Sequence, residues 1–97
     1  MDEDRLQAAR KVIGEVDRDM ARLFMKRMEA VRDIAAYKRE KGLAIQDAAQ
    51  ERAVIERNLS YIDNDELREL YVQFLRQVME VSKAYQRRLM TKEADEA

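Results

Sequence analysis

Apolar residues recur every three or four positions from the start of the chain to about residue 35, which is the spacing of one face of an α-helix. No proline interrupts this stretch, and Gly14 is its only glycine. The pattern predicts a helix from about Asp4 to Lys41, with Gly42 at the position where glycine commonly ends a helix. The apolar positions are Leu6, Ala9, Ile13, Val16, Met20, Leu23, Phe24, Val31, Ile34 and Ala35.

The second predicted helix follows a short loop, residues 42–46. Asp47 suits the N-cap position because its carboxylate can accept hydrogen bonds from the first turn, and Gln50 three residues later completes a capping box. This helix runs to about Leu59. Four of its residues fall on one face, namely Glu51, Val54, Ile55 and Asn58.

The third predicted helix runs from about Asp65 to Met90, with Asp63 and Glu66 as a second capping box. A polar tail, residues 91–97, follows a single helical domain formed by residues 1–90. We therefore predict an all-α fold with three helices per chain. The apolar stripe of the third helix consists of Leu67, Leu70, Tyr71, Phe74, Leu75, Val78, Met79, Tyr85 and Leu89.

The first helix is too long for a compact domain of this size. At about 1.5 Å per residue it measures roughly 57 Å, whereas a compact globule of 97 residues is roughly 32 Å across. Its apolar stripe continues along the whole length, and the other two helices are too short to cover it. We therefore expect a second copy of the chain to cover the stripe in an entwined homodimer.

The composition limits the chemistry. The chain has no His and no Cys, which argues against a zinc or copper site and against a Ser-His or Cys-His nucleophile. An enzyme of this composition would work through carboxylates, cations, amides and positioning. The net charge of −1, with interleaved signs, argues against nucleic-acid or membrane-surface binding. Since neither a membrane-length apolar run nor a signal peptide is visible, we expect a cytoplasmic protein.

Several polar residues interrupt the apolar stripes. Arg27 and Lys38 lie about three turns apart on one face of the first helix and could clamp a small dianion. Each alone is equally well explained by an ion pair with an acid such as Glu51. Ser82 and Gln86 lie within the stripe of the third helix, where a single serine usually bonds to the preceding turn. Burying all of these groups is costly unless they are paired or meet a ligand.

Arg10 lies beside the first part of the same stripe. A surface arginine whose stem packs on apolar neighbours is its ordinary interpretation. Because Arg10 and Arg27 are roughly 25 Å apart along the helix axis, they cannot meet at one small-molecule site within one chain. In an entwined dimer, Arg10 could instead reach the site of the other copy.

Taken together, these residues resemble the pattern of the all-helical chorismate mutases over nearly the whole chain. The matching positions are Arg10, Asp17, Arg27, Lys38, Asp47, Glu51, Ser82 and Gln86. That family forms an entwined dimer with two active sites. The resemblance implies an isomerase that converts chorismate to prephenate in the biosynthesis of phenylalanine and tyrosine. This pericyclic reaction needs no nucleophile, metal or cofactor, which agrees with the composition.

The resemblance also implies individual roles. Arg27 and the Arg10 contributed by the second copy bind the substrate carboxylates, while Lys38 binds a carboxylate and the breaking ether oxygen. Gln86 contacts that oxygen from the other side. Glu51, helped by the backbone near Asp47, binds the ring hydroxyl, and Ser82 supports a carboxylate. The apolar walls of the site are formed by Ile34, Val54 and Met79.

One departure from the family pattern bears on the rate. Many members have Arg where this chain has Gln50, so the predicted site lacks one cation. A second departure, Ala44 in place of a common proline, should affect only loop stiffness. Two alternatives stay open: an isochorismate-pyruvate lyase of the same fold, against which Glu51 argues, and a helical dimerisation or regulatory module with a weakened site.

Overall fold

The computed structural model describes the backbone of residues 2–96 and the side chains of residues 2–92. Three α-helices follow one another along the chain, and no strand occurs in this part of it. The helices are α1, Glu3–Lys41; α2, Ala48–Leu59; and α3, Asp65–Glu96. The predicted all-α fold with a very long first helix is therefore confirmed.

The two ends of α1 are closed as their residue types suggest. At the start, the Asp2 carboxylate accepts a hydrogen bond from the backbone N–H of Arg5 at 2.8 Å. At the end, Gly42 has a φ of 65°, a left-handed conformation that glycine adopts without steric cost. This turn lets the N–H of Leu43 donate to the carbonyl of Lys38 at 2.8 Å, which satisfies a carbonyl left open by the helix end.

The N-cap, the end at Leu59 and the half-buried face that were predicted for α2 are confirmed. Asp47 is its N-cap, and the Asp47 carboxylate accepts a hydrogen bond from the backbone N–H of Gln50 at 3.1 Å. Ser60 closes the helix, and its hydroxyl donates to the carbonyl of Arg57 at 2.6 Å. The four residues predicted to share a face are half-buried, whereas the residues between them are exposed.

α3 begins at Asp65 as predicted, but its capping residue and its end differ from the predictions. Asn64, not Asp63, caps the helix, because the Asn64 side-chain oxygen accepts a hydrogen bond from the N–H of Leu67 at 3.2 Å. The helix also continues past Met90 to Glu96. No glycine or proline follows Met90 to stop it. The end of the predicted polar tail, Ala97, lies outside the described residues.

The corner between α2 and α3 is held by one side chain. The Arg68 guanidinium donates to the carbonyl oxygens of Leu59 at 2.8 Å and Ile62 at 2.9 Å. Both carbonyls lie at or after the end of α2, where the helix itself supplies no donors. Arg68 therefore satisfies the end of one helix from the first turns of the next.

The chain divides into two compact units, one ending at Ala30 and one beginning at Val31, and α1 contributes to both. The first unit is a segment of helix in which most of the large apolar side chains are exposed. The second unit has a small core, in which the buried apolar residues are Val31, Ala35, Leu75 and Met79. No helix of the described residues is both long enough and apolar enough to cross a membrane.

Candidate functional site

Lys83 is the centre of a polar cluster in the second unit. Its ammonium lies 2.7 Å from Glu51 Oε1 and 2.8 Å from Glu80 Oε1, and it donates to Gln46 Oε1 at 2.8 Å. Only 8% of Lys83 is exposed. The loop before α2, the first turn of α2 and the middle of α3 are thus joined at one nitrogen atom.

Gln46 closes this cluster into a ring. Its amide nitrogen donates to Glu51 Oε2 at 3.0 Å, while its amide oxygen accepts from Lys83. Both oxygens of Glu51 are consequently engaged, one by the cation and one by the amide. Because an ammonium has three N–H donors, the three acceptors around Lys83 use its full capacity.

The charges in the cluster stabilise one another. Hydrogen bonding to Glu51, and next to Glu80, raises the pKa of Lys83 above its ordinary value, although burial acts in the opposite direction. The hydrogen bond from Lys83 lowers the pKa of Glu80. Lys83 is therefore a permanent cation at neutral pH.

Lys38 is half-buried in the last turn of α1. Its ammonium donates to the backbone carbonyl of Ile45 at 2.8 Å, which fixes the loop immediately before Gln46. One of its three donors is used in this way. The alternative interpretation, an ion pair between Lys38 and Glu51, is not what the structure shows, since Glu51 pairs with Lys83.

The middle of α3 buries polar side chains where a core helix would bury apolar ones. Ser82 is 6% exposed and Gln86 is 6% exposed, on either side of Lys83 along this face. The Ser82 hydroxyl donates to the carbonyl of Val78 at 2.9 Å, as expected for a helical serine. The side-chain oxygen of Gln86 is buried without a hydrogen-bond partner. An unsatisfied buried oxygen is costly, so this face suits contact with a further polar group.

The other predicted site residues vary in exposure. Met79 is buried and Val54 is half-buried, whereas Ile34 is 47% exposed. Asp47 and Gln50, at the start of α2, are both exposed. In the first unit, Arg10 is exposed and Arg27 is half-buried.

Three cavities lie among the described residues of the second unit. One, about 530 Å³, lies along the later part of α3, and none of the predicted residues lines it. A second, about 450 Å³, lies between α2 and α3, and of the predicted residues only Glu51 and Met79 line it. The third, about 190 Å³, lies between the end of α1 and α3, and none of the predicted residues lines it. The second unit thus brings Glu51 to Lys83 and Gln46, but none of these three cavities is lined by Lys38, Ser82 or Gln86.

Sequence reasoning missed Lys83, Gln46 and Glu80. Lys83 directly follows Ser82 and lies four residues after Met79 and three before Gln86, so helical spacing alone places it on the inward face. That signal was available in the sequence. The partners of Gln46 were not, because its side chain meets α3 only through the loop geometry. Among the described residues, no group of His, Cys, Asp or Glu could hold a metal ion.

Comparison with protein-family models gives a match to chorismate mutase type II over residues 9–87. No curated protein and no solved structure gives a significant match. The matched range includes all of α2, most of α1 and the polar face of α3. The resemblance inferred from the sequence is confirmed at the level of the family.

Proposed function

This chain belongs to the chorismate mutase type II family, and we propose that it catalyses the rearrangement of chorismate to prephenate. The observation that carries the proposal is the family match, because residues 9–87 contain every residue to which the resemblance gives a role. The wider assignments, to aromatic amino-acid biosynthesis and to a cytoplasmic location, are part of the same proposal.

To catalyse this reaction, the protein must position the substrate and supply positive charge and hydrogen-bond donors. The substrate is a flexible dianion that must be held in its compact reactive conformer. Negative charge then develops on the breaking ether oxygen, which preorganised donors stabilise. In this proposal the donors are the Lys38 ammonium and the Gln86 amide. The half-burial of Lys38 and the burial of the Gln86 side chain support these roles, because donors held away from water are preorganised.

The remaining contacts follow the family pattern. Arg27 and Ser82 bind carboxylates, and Glu51 takes the ring hydroxyl beside the backbone near Asp47. Gln50 stands next to Glu51 on the exposed surface of α2. The apolar walls are assigned to Ile34, Val54 and Met79. No cofactor takes part in this mechanism.

The dimer is also part of the proposal. In the first unit, Ile13 is 59% exposed, Leu23 is 51% exposed and Phe24 is 49% exposed. An apolar stripe of this extent, exposed along one helix, is typical of an interaction surface. We propose that a second copy of the chain covers it and receives Arg10 at its active site.

The direct test is the loss of chorismate absorbance when purified protein is added. Turnover with prephenate as product supports the proposal. Turnover of isochorismate alone would identify the lyase instead. If neither substrate reacts, a bicyclic dicarboxylate that mimics the transition state should be tested for a rise in Tm. Protein that is inactive and shows no such rise contradicts the proposed function and favours the alternative of a helical dimerisation module.

A further inference from the structure

A buried lysine needs an explanation, because removing an ammonium from water is costly unless strong partners replace the water. Lys83 has three partners from three elements of the fold, at 2.7 to 2.8 Å. By contrast, Gln50 is uncharged and exposed, although it occupies the position where the family pattern has a cation. The positive charge beside Glu51 therefore comes from α3 and not from α2.

We propose that Lys83 is a positioning residue of the active site, which holds the Glu51 carboxylate in place and balances its charge. The inference rests on the proposed function, because it assumes that Glu51 meets the ring hydroxyl of a dianionic substrate. It differs from the family pattern in assigning the compensating cation to residue 83. Gln46 acts beside it as the second support of Glu51.

The geometry leaves Glu51 able to bind. Lys83 engages Oε1, and Gln46 engages Oε2. Each carboxylate oxygen can accept two hydrogen bonds, so each retains one acceptor site for a substrate hydroxyl. The carboxylate is held at both oxygens and cannot rotate freely. Its hydroxyl-binding direction is thus fixed before the substrate arrives.

The electrostatics favour the same role. An unbalanced carboxylate would repel a dianion, and like charges brought together in an interface disfavour binding. Lys83 offsets that charge at 2.7 Å, while its other carboxylate partner, Glu80, is 58% exposed and so remains solvated by water. Since Lys83 is buried, salt screens this pair less than an exposed one. Lys83 does not contact the substrate itself in this scheme, because its three donors are already used.

The test measures kcat/KM for chorismate in the wild type, in Lys83→Met, in Gln50→Arg and in the double variant. Lys83→Met should lower kcat/KM by about 10- to 100-fold, since small misplacements of a site group have effects of this size. In the wild type, Gln50→Arg should raise kcat/KM by less than about threefold, because Lys83 already supplies a cation beside Glu51. In the Lys83→Met background, Gln50→Arg should raise kcat/KM by at least about tenfold. Such a non-additive result would not be expected if Lys83 had a purely structural role.

The matched control is Lys92→Met, which removes one exposed lysine charge from the same helix and should leave the rate unchanged. Circular dichroism and Tm establish that each variant is folded. If Lys83→Met fails to fold, Gln46→Ala removes the other support of Glu51 and should lower kcat/KM by about 3- to 10-fold at similar Tm.

The outcomes are distinguishable. A folded Lys83→Met variant with wild-type kinetics overturns this inference and leaves the proposed function standing. The inference is also overturned if Gln50→Arg raises kcat/KM equally in the wild type and in Lys83→Met. If Lys83→Met does not fold, a Gln46→Ala variant with wild-type kcat/KM overturns it as well. Wild-type protein that neither converts chorismate nor binds the bicyclic dicarboxylate overturns the proposed function, and this inference with it.

Discussion

The two units of the chain differ in the side chains that they expose and bury. One unit ends at Ala30 and the other begins at Val31. In the first, large apolar side chains such as Val16 and Phe24 are 48% and 49% exposed. In the second, polar side chains such as Ser82 and Gln86 are 94% buried, being 6% exposed. The exposed apolar side chains and the buried, unpartnered oxygen of Gln86 are each unfavourable in an isolated chain. The first calls for a protein surface that would cover it, and the second for a polar ligand.

The largest effect is expected in the second unit, at Lys38. Lys38→Ala should lower kcat by about 100- to 1,000-fold, because it removes a preorganised donor to the ether oxygen. The lost hydrogen bond to Ile45 should cost about 1–3 kcal/mol of folding free energy. Steady-state kinetics on protein shown by circular dichroism to be folded measures the effect.

Lys41→Ala is the matched control for Lys38→Ala, since Lys41 is an exposed lysine in the same last turn of α1. Its kinetics should equal those of the wild type. Near-normal turnover in Lys38→Ala would show that Lys38 serves only to hold the loop.

The next effect concerns the exposed stripe of the first unit. If a second copy covers Phe24, then Phe24→Asp should cost about 3 kcal/mol or more per chain and dissociate the dimer. If the stripe stays in water, the same change should cost about 0.5 kcal/mol or less. Sedimentation and Tm at several protein concentrations distinguish the two cases.

Met25→Asp provides the comparison for Phe24→Asp. Met25 is 62% exposed and lies outside the predicted stripe, so this variant should remain a dimer. A folded wild-type monomer at micromolar concentration would contradict the proposed assembly outright.

A smaller but more specific effect is the recovery of activity when Arg10→Ala and Lys38→Ala chains are mixed. Arg10→Ala and Lys38→Ala homodimers should each be nearly inactive. If Arg10 acts across the dimer, random mixing of the two variants should restore about a quarter of wild-type activity, because half the dimers are mixed and each has one intact site. Activity that stays at the level of the separate variants, despite demonstrated subunit exchange, would leave Arg10 as an ordinary surface arginine.

The smallest effect is the dependence of stability on pH. The pKa of Lys83 is raised in the folded state by Glu51 and then Glu80, so its stabilising contribution is complete below the unfolded pKa of about 10.4. That contribution is lost as the pH rises through the folded value. Urea unfolding at pH 9 and pH 11 should therefore show a larger loss in the wild type than in Lys83→Met. Equal losses would mean that the cluster adds nothing to folding.

Local signals predicted most of the fold. The N-cap Asp47, the half-buried face of α2 and the left-handed Gly42 all follow from residue type and spacing. The cap of α3 was misassigned by one residue, because Asp63 and Asn64 are both good capping residues. The end of α3 was misplaced because a polar sequence without breakers can continue a helix.

The site was harder to predict for a different reason. The sequence identified Glu51 and Lys38 as charged residues on inward faces, and it offered each as a partner for the other. The structure gives each a different partner, Lys83 for Glu51 and the Ile45 carbonyl for Lys38. Which charges pair across helices depends on the packing of the elements and on the loop between α1 and α2. Helical spacing reports only the face on which each charge lies.

The loop between α1 and α2 limits which sequence changes the protein can tolerate. Two consecutive loop residues bind two different lysines: the carbonyl of Ile45 accepts a hydrogen bond from Lys38, and the side chain of Gln46 accepts one from Lys83. Inserting or deleting one residue here would shift both contacts at once. The side chains of Leu43 and Ala44 are exposed and can change as long as residue 43 keeps its backbone N–H, whereas the length of the loop cannot change. Related sequences should therefore vary in composition across residues 43–44 while keeping the spacing from Lys38 to Asp47 constant.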